Sequence, residues 1–402
     1  MSGRALKVVI TEASSYTARY LAFRILNEEL FGPDRKIILS LFVADEAVMS
    51  LEGIAIEITA CAPNLLQDIV YSADRSVAFH QADWIFFIDK GKDHYFTYAD
   101  FENDSFFIDS MIETKRNAKA IDLYANKTAN VIVYSSTAAR ILSEYAPSIP
   151  IANITVATMI FRNYTASMIA KKTQRLPCDV KNLIIWGTNS LPAIPYCKYA
   201  RFSDGKYVTD AVQDDLWFKE ELPKVANIPK IRLYSEQSFY VNCLAFVQLF
   251  KGIFRKRRYR LTEALAFFDH CKYLINGTPE GEWITMNVCS DGSYGVKPGL
   301  FFSFPVYCVN GQWKIVQGLE LDDYFKKKIK DIQITMDDKM QSALNICLED
   351  ERNPEKPMDK TVVRKSILKN DFPTQQNNET ITQDLDEMSP ENSDDPPQNT
   401  EN

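Results

Sequence analysis

The sequence is poor in the groups on which common enzyme chemistries rest. Only three of its 402 residues are histidine: His80, His94 and His270. No arginine occurs between Ser76 and Lys115. The eight cysteines are scattered and none forms a CxxC pair, which argues against a zinc site and a disulfide framework. Reduced, mostly buried thiols in a cytosolic protein are the expectation. No uncharged apolar run approaches the roughly 18 residues of a membrane span, so no membrane partner is expected. Lys7–Ile10 is too short for the apolar core of a secretory signal and reads as a strand. A net charge of -7 argues against a general nucleic-acid surface. What is present is ordinary: 46% apolar and 25% charged residues, in a chain long enough for two domains with their own cores.

The first half alternates short apolar runs with amphipathic stretches. Strands are predicted at Lys7–Ile10, Ile37–Val43, Trp84–Ile88 and Asn130–Tyr134. After Ser14-Ser15, apolar residues fall at Ala18, Leu21, Ala22, Ile25 and Leu26, one face of a helix. Strand, helix and strand at this spacing predict an α/β fold with a doubly wound parallel sheet. Such sheets place ligands at the carboxyl ends of their strands. In the second half, Leu183–Gly187 reads as a strand and turn, and Met286–Ser303 and Pro305–Val309 as antiparallel strands. A closing helix is expected from Leu321 to about Leu348.

Composition changes near residue 350. Phe372 is the only aromatic beyond it, and Gln, Asn, Ser, Asp and Glu dominate. Such a segment buries too little to order itself. The expected organisation is a Rossmann-like domain over 1–150, an α+β domain over 151–350 and a disordered acidic tail over 351–402. Within the tail, Thr361–Phe372 mixes basic and apolar residues. It reads as a docking peptide or as ordinary tail.

A strand leading through a tight turn into a helix is where the pyrophosphate of a dinucleotide binds. That turn needs glycines, for its shape and for close backbone approach to the phosphates. Here Thr11–Ala18 contains none. Glu12, Ser15 and Ala18 are the degenerate positions of this loop. Glu12 adds repulsive charge, and Ser14 or Ser15 is left to cap the helix. An acid for the adenosine ribose belongs at the end of the next strand. Val43 stands there, with Asp45 nearby but two residues late.

Several longer runs carry a specific resemblance. They are Phe31–Asp34, Ala146–Pro150, Asp179–Gly187, Asp214-Asp215 before Trp217, Gly277–Glu282 and Ser290–Val296. In this order and spacing the chain, from about residue 5 to 348, resembles the lactate/malate dehydrogenase family. It is most similar to cytosolic malate dehydrogenases and their divergent 1B-type branch. The resemblance implies a Rossmann-type domain followed by the family's α+β catalytic domain, NAD as cofactor, and a homodimer.

It also implies a catalytic set that these residues do not supply. Malate oxidation needs a base for the hydroxyl proton, a carboxylate to orient that base, and arginines for the substrate carboxylates. Asn189 stands where the resemblance places the histidine base, and an amide cannot hold and release a proton near neutral pH. Phe161 stands for the orienting carboxylate, Tyr164 for a substrate arginine and Ser136 for a substrate asparagine. Arg162 lies two helical positions off, about 200° away. The family's mobile loop brings two arginines, whereas Lys90–Phe107 has none and carries Asp93, Asp100, Glu102 and Asp104. A new basic run, Arg255-Lys256-Arg257-Arg258-Tyr259-Arg260, reads as an anion site centred on Arg255, Arg257 and Arg258, or as a solvated helix face.

The expected function is therefore a malate dehydrogenase-like pseudoenzyme with no intact catalytic residues, no metal and no cofactor, serving as a structural or interaction subunit. Two alternatives stay open: an NAD-dependent malate dehydrogenase with an altered site, in which the NAD site survives, and an anion-binding module. The helix Leu51–Ile58 follows the second strand, where the family dimerises, and keeps an apolar stripe. It is read as a face for a homodimer or a related subunit, its alternative being packing onto the chain's own sheet. The 1B-type resemblance adds a larger assembly and a ciliary or flagellar setting to a cytoplasmic one.

Overall fold

The computed structural model describes residues 4–28, 30–44, 48–88, 105–188, 193–223, 260–352 and 365–366. The chain divides into two units, Met1–Leu368 and Lys369–Asn402, and the described residues lie in the first.

Six parallel strands build the first half: β1 (Leu6–Ile10), β2 (Ile37–Phe42), β3 (Leu66–Ser72), β4 (Trp84–Phe87), β5 (Asn130–Val133) and β6 (Ile154–Val156). Their spatial order is β3-β2-β1-β4-β5-β6. The order reverses between β1 and β4, the switch point at which such sheets open a crevice. Helices α1 (Tyr16–Asn27) and α2 (Val48–Ala60) cross over one face of the sheet. Helices α3 (Arg75–Phe79), α4 (Ser105–Tyr124) and α5 (Ser136–Tyr145) cover the other, as right-handed crossovers require. The predicted stripe of α1 is the buried one: Ala18, Leu21, Ala22, Ile25 and Leu26 all lie in the core. Each leucine or isoleucine there is worth about 1.5–3 kcal/mol.

The second half begins with α6 (Met159–Thr173), β7 (Ile184–Gly187), β8 (Ala193–Tyr196) and α7 (Val208–Val212). It resumes with α8 (Arg260–Asn276), β9 (Ile284–Cys289), β10 (Phe301–Val309), β11 (Gln312–Ile315) and α9 (Asp323–Arg352). These strands extend the same sheet antiparallel, in the order β6-β9-β10-β7-β8, with β11 on β10. Trp186 is fully buried against Tyr294 and Phe304. Gly277 approaches the Cys308 carbonyl so closely that a Cβ would lie 3.0 Å from its oxygen, so this turn needs its glycine.

The structure adds to the predicted strands and changes several expectations. β3 is not among the predicted strands; its register shifts at Gln67, where Leu66 pairs with Ile37 but Asp68 with Ile38. A bulge resets the alternation on which strand prediction relies. The stretch Met286–Ser303 is not one strand. It splits at the turn through Ser290–Gly292, where the Ser290 hydroxyl donates to the Val296 carbonyl and accepts from the Gly292 N–H. The apolar stripe of α2 packs inward: Leu51, Ile54, Ala55 and Ile58 belong to the chain's own core. On the outer face of α2 Met49 and Ile56 are exposed, as are Tyr16, Tyr20 and Phe23 on α1.

The closing helix α9 runs to Arg352, past the expected boundary of the tail. It packs on α4 and α5 over Phe107, Met111, Ile141, Ala343, Leu344 and Cys347. Its last turn is held by charge. The buried Lys115 ammonium donates to the Cys347 carbonyl at 2.9 Å and pairs with Asp350, and Lys119 pairs with Glu351. Within the segment expected as tail, Lys365–Ser366 form β12, antiparallel to β3.

Removing one partner of a buried pair strands the other charge. Asp350→Ala is expected to lower stability by about 3 kcal/mol, and Lys115→Met in the same chain to recover most of it. Urea denaturation of the two variants and the parent checks both outcomes.

Candidate functional site

The crevice at the switch point is laced shut at its base. Thr11 follows β1 and Ile88 follows β4. The Thr11 hydroxyl donates to the Ile88 carbonyl at 2.8 Å and accepts from the Ile88 N–H at 2.7 Å. The turn into α1 uses its own amides on protein oxygens. Thr11 N–H donates to Phe86 O, Ala13 N–H to Phe42 O and Ser15 N–H to Glu12 O. Of the two candidate caps it is Ser15 that caps α1, accepting from Ala18 N–H at 3.2 Å. Glu12 takes a left-handed conformation, φ +48°, which suits glycine and costs another residue about 1 kcal/mol or more. The nearby cation Arg19 donates to Ser14 O and stacks on Tyr16. Val43 is buried, its N–H donating to Ser72 O.

A second carboxylate lies one helical turn on. Glu263, near the start of α8, is 5% exposed. It accepts from the Thr17 hydroxyl at 2.8 Å and from the Tyr134 hydroxyl at 3.4 Å. Thr17 is on the first turn of α1, and Tyr134 directly follows β5. Sequence reasoning missed this residue. The readable signal was a charged side chain on the stripe that Glu263, Phe267 and Cys271 share at intervals of four.

The substrate end of the crevice holds hydroxyls and amides. Ser136, first residue of α5, is buried. It lies 2.8 Å from the Thr188 hydroxyl and accepts from the Asn287 amide at 2.7 Å. Tyr164 on α6 reaches Thr262 on α8 at 3.3 Å. Phe161, one helical turn earlier, is 2% exposed and part of the core. Arg162 turns elsewhere and donates to the Val180 carbonyl. Burial pushes its pKa down, against the opposing pull of Tyr273, Asp269 and Glu282. The structure thus brings Ser136 and Thr188 together, and separately Tyr164 and Thr262. Among the described residues no group of three or more His, Cys, Asp and Glu side chains is arranged to hold a metal.

A model of the lactate/malate dehydrogenase alpha/beta C-terminal domain matches residues 255–346. Cytoplasmic malate dehydrogenase 3 of Arabidopsis thaliana is 31% identical, over 81% of this chain and 91% of its own. Probable malate dehydrogenase 3 of Dictyostelium discoideum is 34% identical, over 82% and 94%. The fold agrees with solved structures. Malate dehydrogenase of Naegleria fowleri superposes with a TM-score of 0.71 at 23% identity, covering 86% of this chain and 100% of its own. A Trichomonas vaginalis lactate dehydrogenase, solved with NADH and oxamate, does so with 0.73 at 23%, over 86% and 100%. This chain belongs to the lactate/malate dehydrogenase family.

Several positions to which the family resemblance gives roles lie outside the described residues. They are Asn189, Asp45, the acidic loop that includes His94, and the basic run with Arg255, Arg257 and Arg258. His80 is exposed at the end of α3. His270 is wholly buried on α8, its Nε2 2.8 Å from the Thr155 hydroxyl. Burial pushes its pKa down to about 3, so it stays a neutral core imidazole.

His270 has a pKa below its unfolded value, so its contribution to stability is complete only above about pH 6.5 and is lost as pH falls toward 3. From pH 7 to pH 5 this one group is expected to lower stability by about 2 kcal/mol. His270→Asn is expected to remove that part of the slope. Denaturant titrations at the two pH values check it.

Proposed function

We propose that this chain is a malate dehydrogenase-like protein that does not turn over malate and serves as an interaction subunit. The observation that carries this reading is Phe161. The position from which the family resemblance expects a carboxylate to orient the base is filled by a phenyl ring packed into the core. Without that carboxylate an imidazole has nothing to hold its tautomer or stabilise its charged form. The neighbouring polar groups, Ser136, Thr188, Tyr164 and Thr262, are neutral and bond to one another.

The nucleotide end supports the same reading. Two carboxylates, Glu12 and Glu263, lie at the turn and the first helical turn where a pyrophosphate would be cradled. Three of the turn's amides already serve protein carbonyls. These groups do not fit a pyrophosphate, and no cofactor is assigned. The degenerate nucleotide-binding half is taken to end near residue 150, and the family-type C-terminal half near 350. The relatives' cytoplasmic setting is carried over to this chain.

The partner surface we assign is the outer face of α1 and α2. Tyr16, Tyr20 and Phe23 are 54%, 39% and 46% exposed at helical spacing, beside Met49 at 68% and Ile56 at 56%. Large aromatics on a neighbouring pair of helices suit the centre of an interface. The occupant is a second copy or a related subunit.

Titration with NADH, read by energy transfer from the tryptophans, is expected to show no saturation up to about 1 mM. Oxaloacetate-dependent NADH oxidation is expected about 10⁴-fold or more below a typical turnover of about 10 s⁻¹. Micromolar saturation with turnover near that value would sink the reading. Light scattering at micromolar concentration is expected to give a dimer, and Phe23→Glu a monomer. A monomeric parent chain would remove the assignment of the face.

A further inference from the structure

β3 is the outer strand of the parallel half, with β2 on its inner side. A seven-residue edge offers a row of backbone N–H and C=O groups to any extended chain, so proteins cover or blunt such edges. Here Lys365 lies opposite Tyr71 and Ser366 opposite Val70, antiparallel. We propose that the outer edge of β3 is a strand-addition site whose occupant is this chain's own segment 361–368, docked in cis.

The segment is suited to the task by composition. Thr361-Val362-Val363-Arg364-Lys365-Ser366-Ile367-Leu368 contains four β-branched residues in eight, inside a tail otherwise rich in Gln, Asn, Asp and Glu. β-branched residues favour the extended backbone, and this is the longest stretch of the tail with that character, Thr380-Ile381-Thr382 being shorter. Strand addition takes most of its affinity from main-chain bonds, so the match does not depend on particular side chains.

The placement of the helices makes docking in cis the short route. α9 ends against α4, with Asp350 paired to Lys115 and Arg116, and Glu351 to Lys119. The same stretch of α4 holds the exit of β3. Arg75, three residues beyond that strand, donates to Glu113 at 2.6 Å and to Asn117 at 2.8 Å. From Glu113 to Lys119 is about 9 Å along a helix. The residues from 353 to 364 span up to about 40 Å when extended. The tether is therefore long enough without strain, and a tethered strand meets its site at about millimolar effective concentration. That explains how so short a pairing is kept. An extended peptide from another protein takes this edge only by displacing the chain's own strand.

Hydrogen exchange of the full chain tests the assignment. The double variant Lys365→Pro, Ser366→Pro removes two backbone donors and imposes a fixed φ. In that variant the outward-facing amides of residues 68–72 are expected to exchange about tenfold faster or more, while those of β1 keep their protection. Lys365→Ala keeps the backbone and is expected to match the parent. Parental protection should not change with protein concentration. Equal protection of β3 in all three chains overturns the proposal. So does protection that rises with protein concentration, which would mark pairing between copies.

Discussion

A carboxylate taken out of water needs hydrogen-bond donors in place of the water it has left, and Glu263 finds two of them on other elements, so that it draws three elements together. It sits on α8, its oxygens accept from Thr17 on α1 and Tyr134 after β5, and the next residue back, Thr262, meets Tyr164 on α6. Few single side chains reach so far across the chain. The α1–α8 contact continues with Arg24 over the ring of Phe268 at 4.3 Å. The strands of the two halves already share one sheet, and the helices on this face are joined through α8. Beside this node Ser136 pairs with Thr188, and Tyr164 with Thr262.

That inward turning explains why so much sequence change left the fold intact. The frame depends on the β1–β4 switch point, the buried stripe of α1 and the turns around Trp186, Gly277 and Tyr294. None of these needs a ligand. Thr11 bonds both the N–H and C=O of Ile88, and these contacts require no ligand. The chemistry, by contrast, requires a few atoms placed in open space, and the frame does not depend on which residues supply them.

The frame was legible because its signals are local and periodic. The strands at Leu6–Ile10, Ile37–Phe42 and Trp84–Phe87 and the stripe of α1 follow from spacing alone. β3 was not legible because its apolar run is only Ile69-Val70-Tyr71, with the polar Gln67 and Asp68 inside the strand. The stripe of α2 was legible as a stripe but not as to what it meets. Periodicity reports that a face is buried, not whether the chain's own sheet or a partner buries it. Glu263 failed for a related reason: its partners lie 129 and 246 residues away, a separation no window along the sequence spans. The roles proposed for the positions of Ser136, Phe161 and Tyr164 rest on the family resemblance alone, since nothing about a buried phenylalanine marks it as part of a site.

On the proposed reading, the replacements are of a kind that resists reversal one step at a time. Phe161 is 2% exposed, so an aspartate returned there alone would be a buried carboxylate without a counter-ion, at a cost of several kcal/mol. The family's arginine at position 164 would have to leave a contact with Thr262 that now ties α6 to α8. A glycine at position 12 would relieve the left-handed strain there, yet Ala13 N–H would still donate to Phe42 O and Glu263 would still lie beside Thr17. Each single reversion meets a structure already adjusted to its absence. On the proposed reading the family's chemistry would need several of these residues to change together, whereas the switch point of the sheet and the buried stripe of α1 are held by interactions that require no ligand.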